Sequence, residues 1–201
     1  MGKSSASDPG VQSVSSKFNV DWGLYLASNR DFIYAKIDVR GSRFQGDKLL
    51  HENWHKLGSV EVEDYLKVVN YLKNEIHFVD HTRTAIWGWS YGGYIAASAL
   101  THETNAFNCS IAVAPVTNWM YVDSFTSERY FGQPWTSSNF LRYEKADLTH
   151  IAKHFRERDM FILHGTADGT FTFREALRVL FACNHQHCSD GVQPICCITV
   201  C

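Results

Sequence analysis

The chain has 201 residues, 45% hydrophobic and 14% aromatic, and its 19 basic and 21 acidic side chains give a formal net charge of -2. That length and apolar content suit one domain with a buried core, and the near balance of charge excludes nucleic acid or an anionic membrane surface as an electrostatic partner. No apolar run reaches the roughly eighteen residues of a membrane span, and the opening MGKSSASDPG lacks both a signal peptide's apolar region and the Ser or Thr that myristoylation needs where Ala6 stands.

Residues 1–16, rich in Ser, Gly and Asp around Asp8-Pro9-Gly10, read as a flexible segment. Phe32 to Ile37 is a short β-rich run before the turn at Gly41-Ser42, and reads as a buried strand. From Ser59, the apolar positions Val62, Tyr65, Leu66, Val69, Leu72 and Ile76 recur at three and four residues, the period of an amphipathic helix. Glu61, Glu63 and Asp64 crowd its first turn, where carboxylates meet the positive end of the helix dipole. Arg83 to Trp89 reads as a strand and Tyr91 to Leu100 as a helix of small residues leaving it. Cys109 to Val116 and Met160 to Asp168 are two further short apolar strands, each ending in a loop. After them a helix is expected over Phe171–Ala182 and a last strand over Pro194–Val200.

Strands alternating with helices predict an α/β fold with a mostly parallel sheet covered by helices on both faces. In such sheets function gathers at the carboxyl ends of the strands, where Ser90 and Asp168 are expected.

Gly88-Trp89-Ser90-Tyr91-Gly92, between a strand and a helix, is the pattern of a nucleophile elbow, a strained turn that lifts the serine hydroxyl above the sheet. The glycines permit close approach of backbone, and the Tyr91 amide, opening the helix, can receive an anion forming on an attacked carbonyl. In this arrangement the acid and then the histidine follow the serine along the chain, and Asp168 fits the acid.

The segments GWSYGGY, AVAPV, ERYFG and HGTAD, with RGSRFQGDKLL and LGSVEVEDYL, resemble the catalytic domain of the dipeptidyl peptidase IV group in the prolyl oligopeptidase family, from about Pro9 to Phe173. The resemblance implies an α/β-hydrolase domain joined to an amino-terminal β-propeller, releasing dipeptides from peptide amino termini after proline or alanine. It implies Ser90 as nucleophile, Tyr91 as an oxyanion donor and Asp168 as the triad acid, with Val116, Trp119, Tyr121, Val122 and Thr126 along the proline pocket. It implies a peptide substrate, no cofactor and no metal, frequent dimerisation, and a plasma-membrane or secreted full-length product.

Several positions depart from the family pattern. The second oxyanion donor, a tyrosine in relatives, falls close to Ala6, and a methyl group cannot donate. Relatives carry tyrosines where Val122 and Thr126 stand, and an asparagine in the region of Gly169-Thr170-Phe171. The expected last strand ends one residue before Cys201, so the triad histidine has no place after it, while His185 and His187 fall on the opposite side of the sheet. The domain therefore reads as residues 17–180, incomplete at its carboxyl end, followed by a divergent tail over 181–201 that holds five of the six cysteines. Cys183, His185, His187 and Cys188 are too crowded for a usual zinc site. The partner of Cys109, tied in relatives to a cysteine near the carboxyl terminus, stays open. A non-catalytic protein that keeps the hydrolase shape for binding is the alternative reading.

Overall fold

The computed structural model describes residues 2–6, 9–155, 158–170, 173–184 and 196–200. Six parallel strands form one sheet: β1 (Gly2–Ala6), β2 (Tyr34–Lys36), β3 (Thr84–Trp89), β4 (Cys109–Val113), β5 (Asp159–Gly165) and β6 (Cys196–Val200), in the spatial order β2-β1-β3-β4-β5-β6. The helices are α1 (Trp22–Arg30), α2 (Asp47–Leu50), α3 (Val60–Glu75), α4 (Tyr91–Leu100), α5 (Ser124–Phe131), α6 (Ser137–Lys145) and α7 (Phe173–Asn184), with short 3-10 turns at Trp119–Tyr121 and Ala152–Phe155.

The chain steps from β1 outward to β2, crosses back over β1 to β3, and then proceeds in the other direction through β4, β5 and β6. The order therefore reverses between β1 and β3, and a crevice opens there at the carboxyl ends of the strands. Right-handed crossovers running in the same direction place α3 and α4 on the same face of the sheet, where they pack together, and place α1 on the other.

Helix α4 is the central covering element. Its small residues Gly93, Ala96 and Ala97 let it lie close over β3 and β4, and a side chain at Gly93 would press on Pro115 at 3.1 Å. Ile86, Ile95, Leu100, Ala112 and Ile162 form the fully buried centre, and transfer of such side chains out of water is worth about 1.5–3 kcal/mol each. On α3 the helical period is realised, with Val62, Tyr65, Leu66 and Val69 buried.

Two expectations are corrected. Gly2–Ala6, inside the segment expected to be flexible, is a strand between β2 and β3. Its small and polar residues carry no apolar alternation, and the two backbone ladders on either side hold it instead. The Phe32–Ile37 run is not a buried strand: β2 covers only Tyr34–Lys36, lies at the end of the sheet and is partly exposed. The other strands are trimmed rather than moved. β4 stops at Val113, because Ala114 takes φ 40 and Pro115 follows, and β5 stops at Gly165 before the turn to Asp168. His185, His187, Cys188 and Cys201 lie outside the described residues, so the expectations for them do too.

Candidate active site

Ser90 joins β3 to α4 with φ 54 and ψ -116, a conformation that non-glycine residues rarely adopt. Backbone bonds hold it there. The Ser90 amide donates to the Val113 carbonyl at 2.9 Å, and its carbonyl accepts from the amides of Tyr94 at 3.1 Å and Val116 at 3.3 Å. A Cβ at Gly88 would run into the backbone carbonyl of Gly92, so the first glycine of the pattern is a steric requirement of the turn. Ser90 is half-buried.

Tyr91 is the first residue of α4, so its main-chain N–H has no carbonyl one turn earlier in the helix to bond. That N–H is available to a developing negative charge beside the Ser90 hydroxyl. Ala6 pairs in register with Gly88, two residues before the serine, which places it at the same edge of the sheet.

Asp168 lies three residues beyond β5 and is half-buried. Its amide donates to the Gly165 carbonyl at 3.3 Å, and its Oδ1 accepts from the Thr170 amide at 2.9 Å. The carboxylate is thus fixed by a local Asx turn at the carboxyl edge of the sheet, with β4 between its strand and that of Ser90.

A cleft of about 350 Å³ opens over Ser90 and Tyr91. Val116, Trp119, Val122 and Thr126 line it, as do Pro9 and Thr170. Its wall is backed by rings packed edge-on or tilted: Trp119 lies 5.9 Å from Tyr91, 5.4 Å from Tyr94 and 5.4 Å from Phe131, between ring centroids. Tyr121 is not part of this lining. It is 58% exposed, and its hydroxyl accepts a bond from Arg178 at 3.0 Å, with the guanidinium 5.2 Å from its ring. A broader groove of about 610 Å³ meets the cleft at Pro9, Arg129 and Tyr130.

No histidine is among the described residues that line the cleft. His164, in β5, is buried, with Nδ1 3.0 Å from the Gly165 carbonyl and its ring 5.8 Å from that of Phe173.

Glu61 lies in the first turn of α3, as the sequence places it, and is a buried contact of the site that the sequence did not single out: it is only 2% exposed. Its Oε1 accepts from the Tyr91 hydroxyl at 2.7 Å and its Oε2 from the Gly58 amide at 3.1 Å. The Asn53 amide also favours its charge, although Asn53 Nδ2 closes no hydrogen bond of normal geometry. Burial outweighs these bonds and pushes the Glu61 carboxyl up to about 7. Burial, and then the neighbouring Glu61, hold the Tyr91 phenol well above its ordinary value. The available signal was the spacing of Glu61 from Tyr65, four residues on and on the same buried face of the helix. The adjacent Asp64 instead pairs with Arg40 at 2.7 Å nearer the surface.

A family model described as the prolyl oligopeptidase family matches residues 18–193. The chain belongs to that family. It is 45% identical over 171 residues to the prolyl endopeptidase FAP of Mus musculus and 40% identical over 171 residues to the dipeptidyl peptidase 4 of Sus scrofa. Both alignments take in 85% of this chain and 22% of the relative, so the chain spans about a fifth of the length of the relatives it matches. Among solved structures, the dipeptidyl peptidase 4 of Porphyromonas gingivalis superposes with a TM-score of 0.84 at 27% identity, over 99% of this chain and 27% of that one. The fold is that of an α/β-hydrolase, and the chain is a serine peptidase domain of this family. Among its described residues no helix is long and apolar enough to cross a membrane.

Proposed function

We propose that this chain supplies the nucleophile, one oxyanion donor and the acid of a peptidase that releases dipeptides from peptide amino termini after proline or alanine. Ser90 Oγ attacks the scissile carbonyl carbon, and the Tyr91 amide receives the charge that develops on its oxygen. The carbon–nitrogen bond then breaks, the amine leaves with a proton, and water hydrolyses the Ser90 ester. Asp168 orients the histidine that moves these protons. The observation that carries the reading is the strained Ser90 turn opening onto an apolar cleft walled by Val116 and Trp119.

The proposal has a second part: none of the described residues acts as that histidine. It is supported by the absence of any histidine from the described cleft lining. In a serine protease where the histidine was removed, turnover fell by about 10⁶. The test is release of nitroaniline from Ala-Pro-p-nitroanilide by the chain and by Ser90→Ala, with and without imidazole as a replacement base. Release near background without imidazole, and a rise with imidazole that Ser90→Ala abolishes, is expected. A rise that survives Ser90→Ala overturns the assignment of Ser90, and rapid release without imidazole overturns the missing base.

A second reading, a hydrolase-shaped binding protein without turnover, is favoured by one observation. Val122 and Thr126 line the cleft and themselves present no ring to grip proline. Peptide binding without Ser90-dependent release in imidazole would select it.

A further inference from the structure

The contact between Glu61 and Tyr91 lies outside the catalytic group set and ends on a residue of that set. Tyr91 carries two functions on one residue: its main-chain N–H faces the serine, and its buried hydroxyl bonds Glu61 at 2.7 Å. Glu61 is held in turn by the amide of Gly58, in a turn with φ 78 that leaves no room for a side chain against the Tyr94 ring. Leu57, beside that turn, lines the same cleft. The start of α3, the Leu57-Gly58 turn and the elbow are thereby tied through one carboxyl group.

We propose that Glu61 is a positioning residue for the oxyanion donor, holding the Tyr91 amide in place at the elbow through the Tyr91 hydroxyl. The inference rests on the reading of Ser90 and Tyr91 as catalytic groups given above. A donor must sit at hydrogen-bond distance from where the oxyanion forms, and a misplacement of about 1 Å costs on the order of 10²-fold in rate. The elbow is a strained turn, and strain persists only where its surroundings determine the geometry.

The groups facing the carboxyl are the Tyr91 and Tyr94 hydroxyls from α4, the Asn53 amide and the Gly58 amide. Because burial raises its proton affinity to the neutral range, its protonation changes which partner donates in the bond to Tyr91. Such a change is transmitted along the rigid ring to the start of α4.

Nuclear magnetic resonance of the chain labelled with 15N-tyrosine tests this without requiring turnover, the Tyr91 amide being assigned through its loss in Tyr91→Phe. The Tyr91 amide resonance is expected to move between pH 5 and 9 with a midpoint near that of Glu61, and to stay still in Glu61→Gln. A companion measurement is the rate of fluorophosphonate labelling of Ser90 in imidazole buffer. Glu61→Leu should slow it by about tenfold or more, while Glu61→Gln, which keeps an acceptor oxygen, recovers most of the rate. If Glu61→Leu does not fold, Tyr91→Phe removes the same bond from the other side and should slow labelling as much. A Tyr91 amide that does not move with pH, or moves equally in Glu61→Gln, overturns the proposal. So does labelling of Ser90 at the same rate in every variant, and in both cases the peptidase reading stands. No Ser90 labelling in any variant, with a Tyr91 amide that follows Glu61, overturns the peptidase reading and leaves the tie between the two residues intact.

Discussion

Glu61 should make the stability of this fold fall as the solution passes from acid to neutral pH. Its carboxyl titrates at about 7 in the fold against an ordinary value of 4.5, and desolvation is the main cause. Below about pH 4.5 the group is protonated both folded and unfolded, and its contribution is fully present. Between 4.5 and about 7 the unfolded chain releases the proton and the folded chain keeps it, so stability declines. Above about 7 both states are ionised and the contribution is gone. The interval from 4.5 to about 7, at about 1.4 kcal/mol per pH unit, corresponds to about 3 kcal/mol. Glu61→Gln fits nearly the same volume but carries no proton to release. Urea unfolding of both proteins at intervals from pH 4 to 8.5 isolates the effect, because every other titrating group is common to them. The difference in unfolding free energy between Glu61→Gln and the original chain should shift by about 3 kcal/mol in favour of the variant across that range. A difference that stays constant with pH would show that Glu61 titrates as an exposed carboxylate does, and would refute the reasoning.

Gly88→Ala should destabilise the fold by about 1–3 kcal/mol, since the added carbon meets the Gly92 backbone and not a movable side chain. Thermal unfolding checks it, and an unchanged midpoint would mean that the elbow is looser than described. Trp119→Ala removes a fully buried ring that contacts Tyr91, Tyr94 and Phe131, and should cost about 3–5 kcal/mol in the same assay. Val122→Tyr with Thr126→Tyr adds ring surface to the cleft. It should tighten binding of an Ala-Pro peptide measured by titration calorimetry, and no gain would argue that these two positions do not contact the proline ring.

Where side-chain pattern determines an element, the sequence was sufficient to read it. The α3 helix follows from Val62, Tyr65, Leu66 and Val69, and the β3 to α4 elbow follows from a strand running into a glycine-flanked serine. Where backbone determines an element, pattern was silent. Gly2–Ala6 is central because it hydrogen-bonds on both sides, a property that no run of Gly, Lys and Ser announces. The site shows the same division. Val116, Trp119, Val122 and Thr126 line the cleft, whereas the 3-10 turn at Trp119–Tyr121 sends Trp119 inward and Tyr121 out toward Arg178. The two-residue step between them decides that, and it is set by the tight turn and not by residue type. The burial of Glu61 was not legible from its first-turn position, because a carboxylate there ordinarily faces water, and here the buried Tyr91 hydroxyl gives it a partner inside.

The central claim is that Ser90 is a nucleophile on a preformed elbow. Its most direct test is covalent modification of the chain by excess fluorophosphonate, with the modified residue located by mass spectrometry after digestion, in the presence and absence of imidazole. The account predicts an adduct on Ser90, formed faster with imidazole and lost in Ser90→Ala. Failure to form that adduct even with imidazole, or an adduct of equal yield in Ser90→Ala, would contradict it.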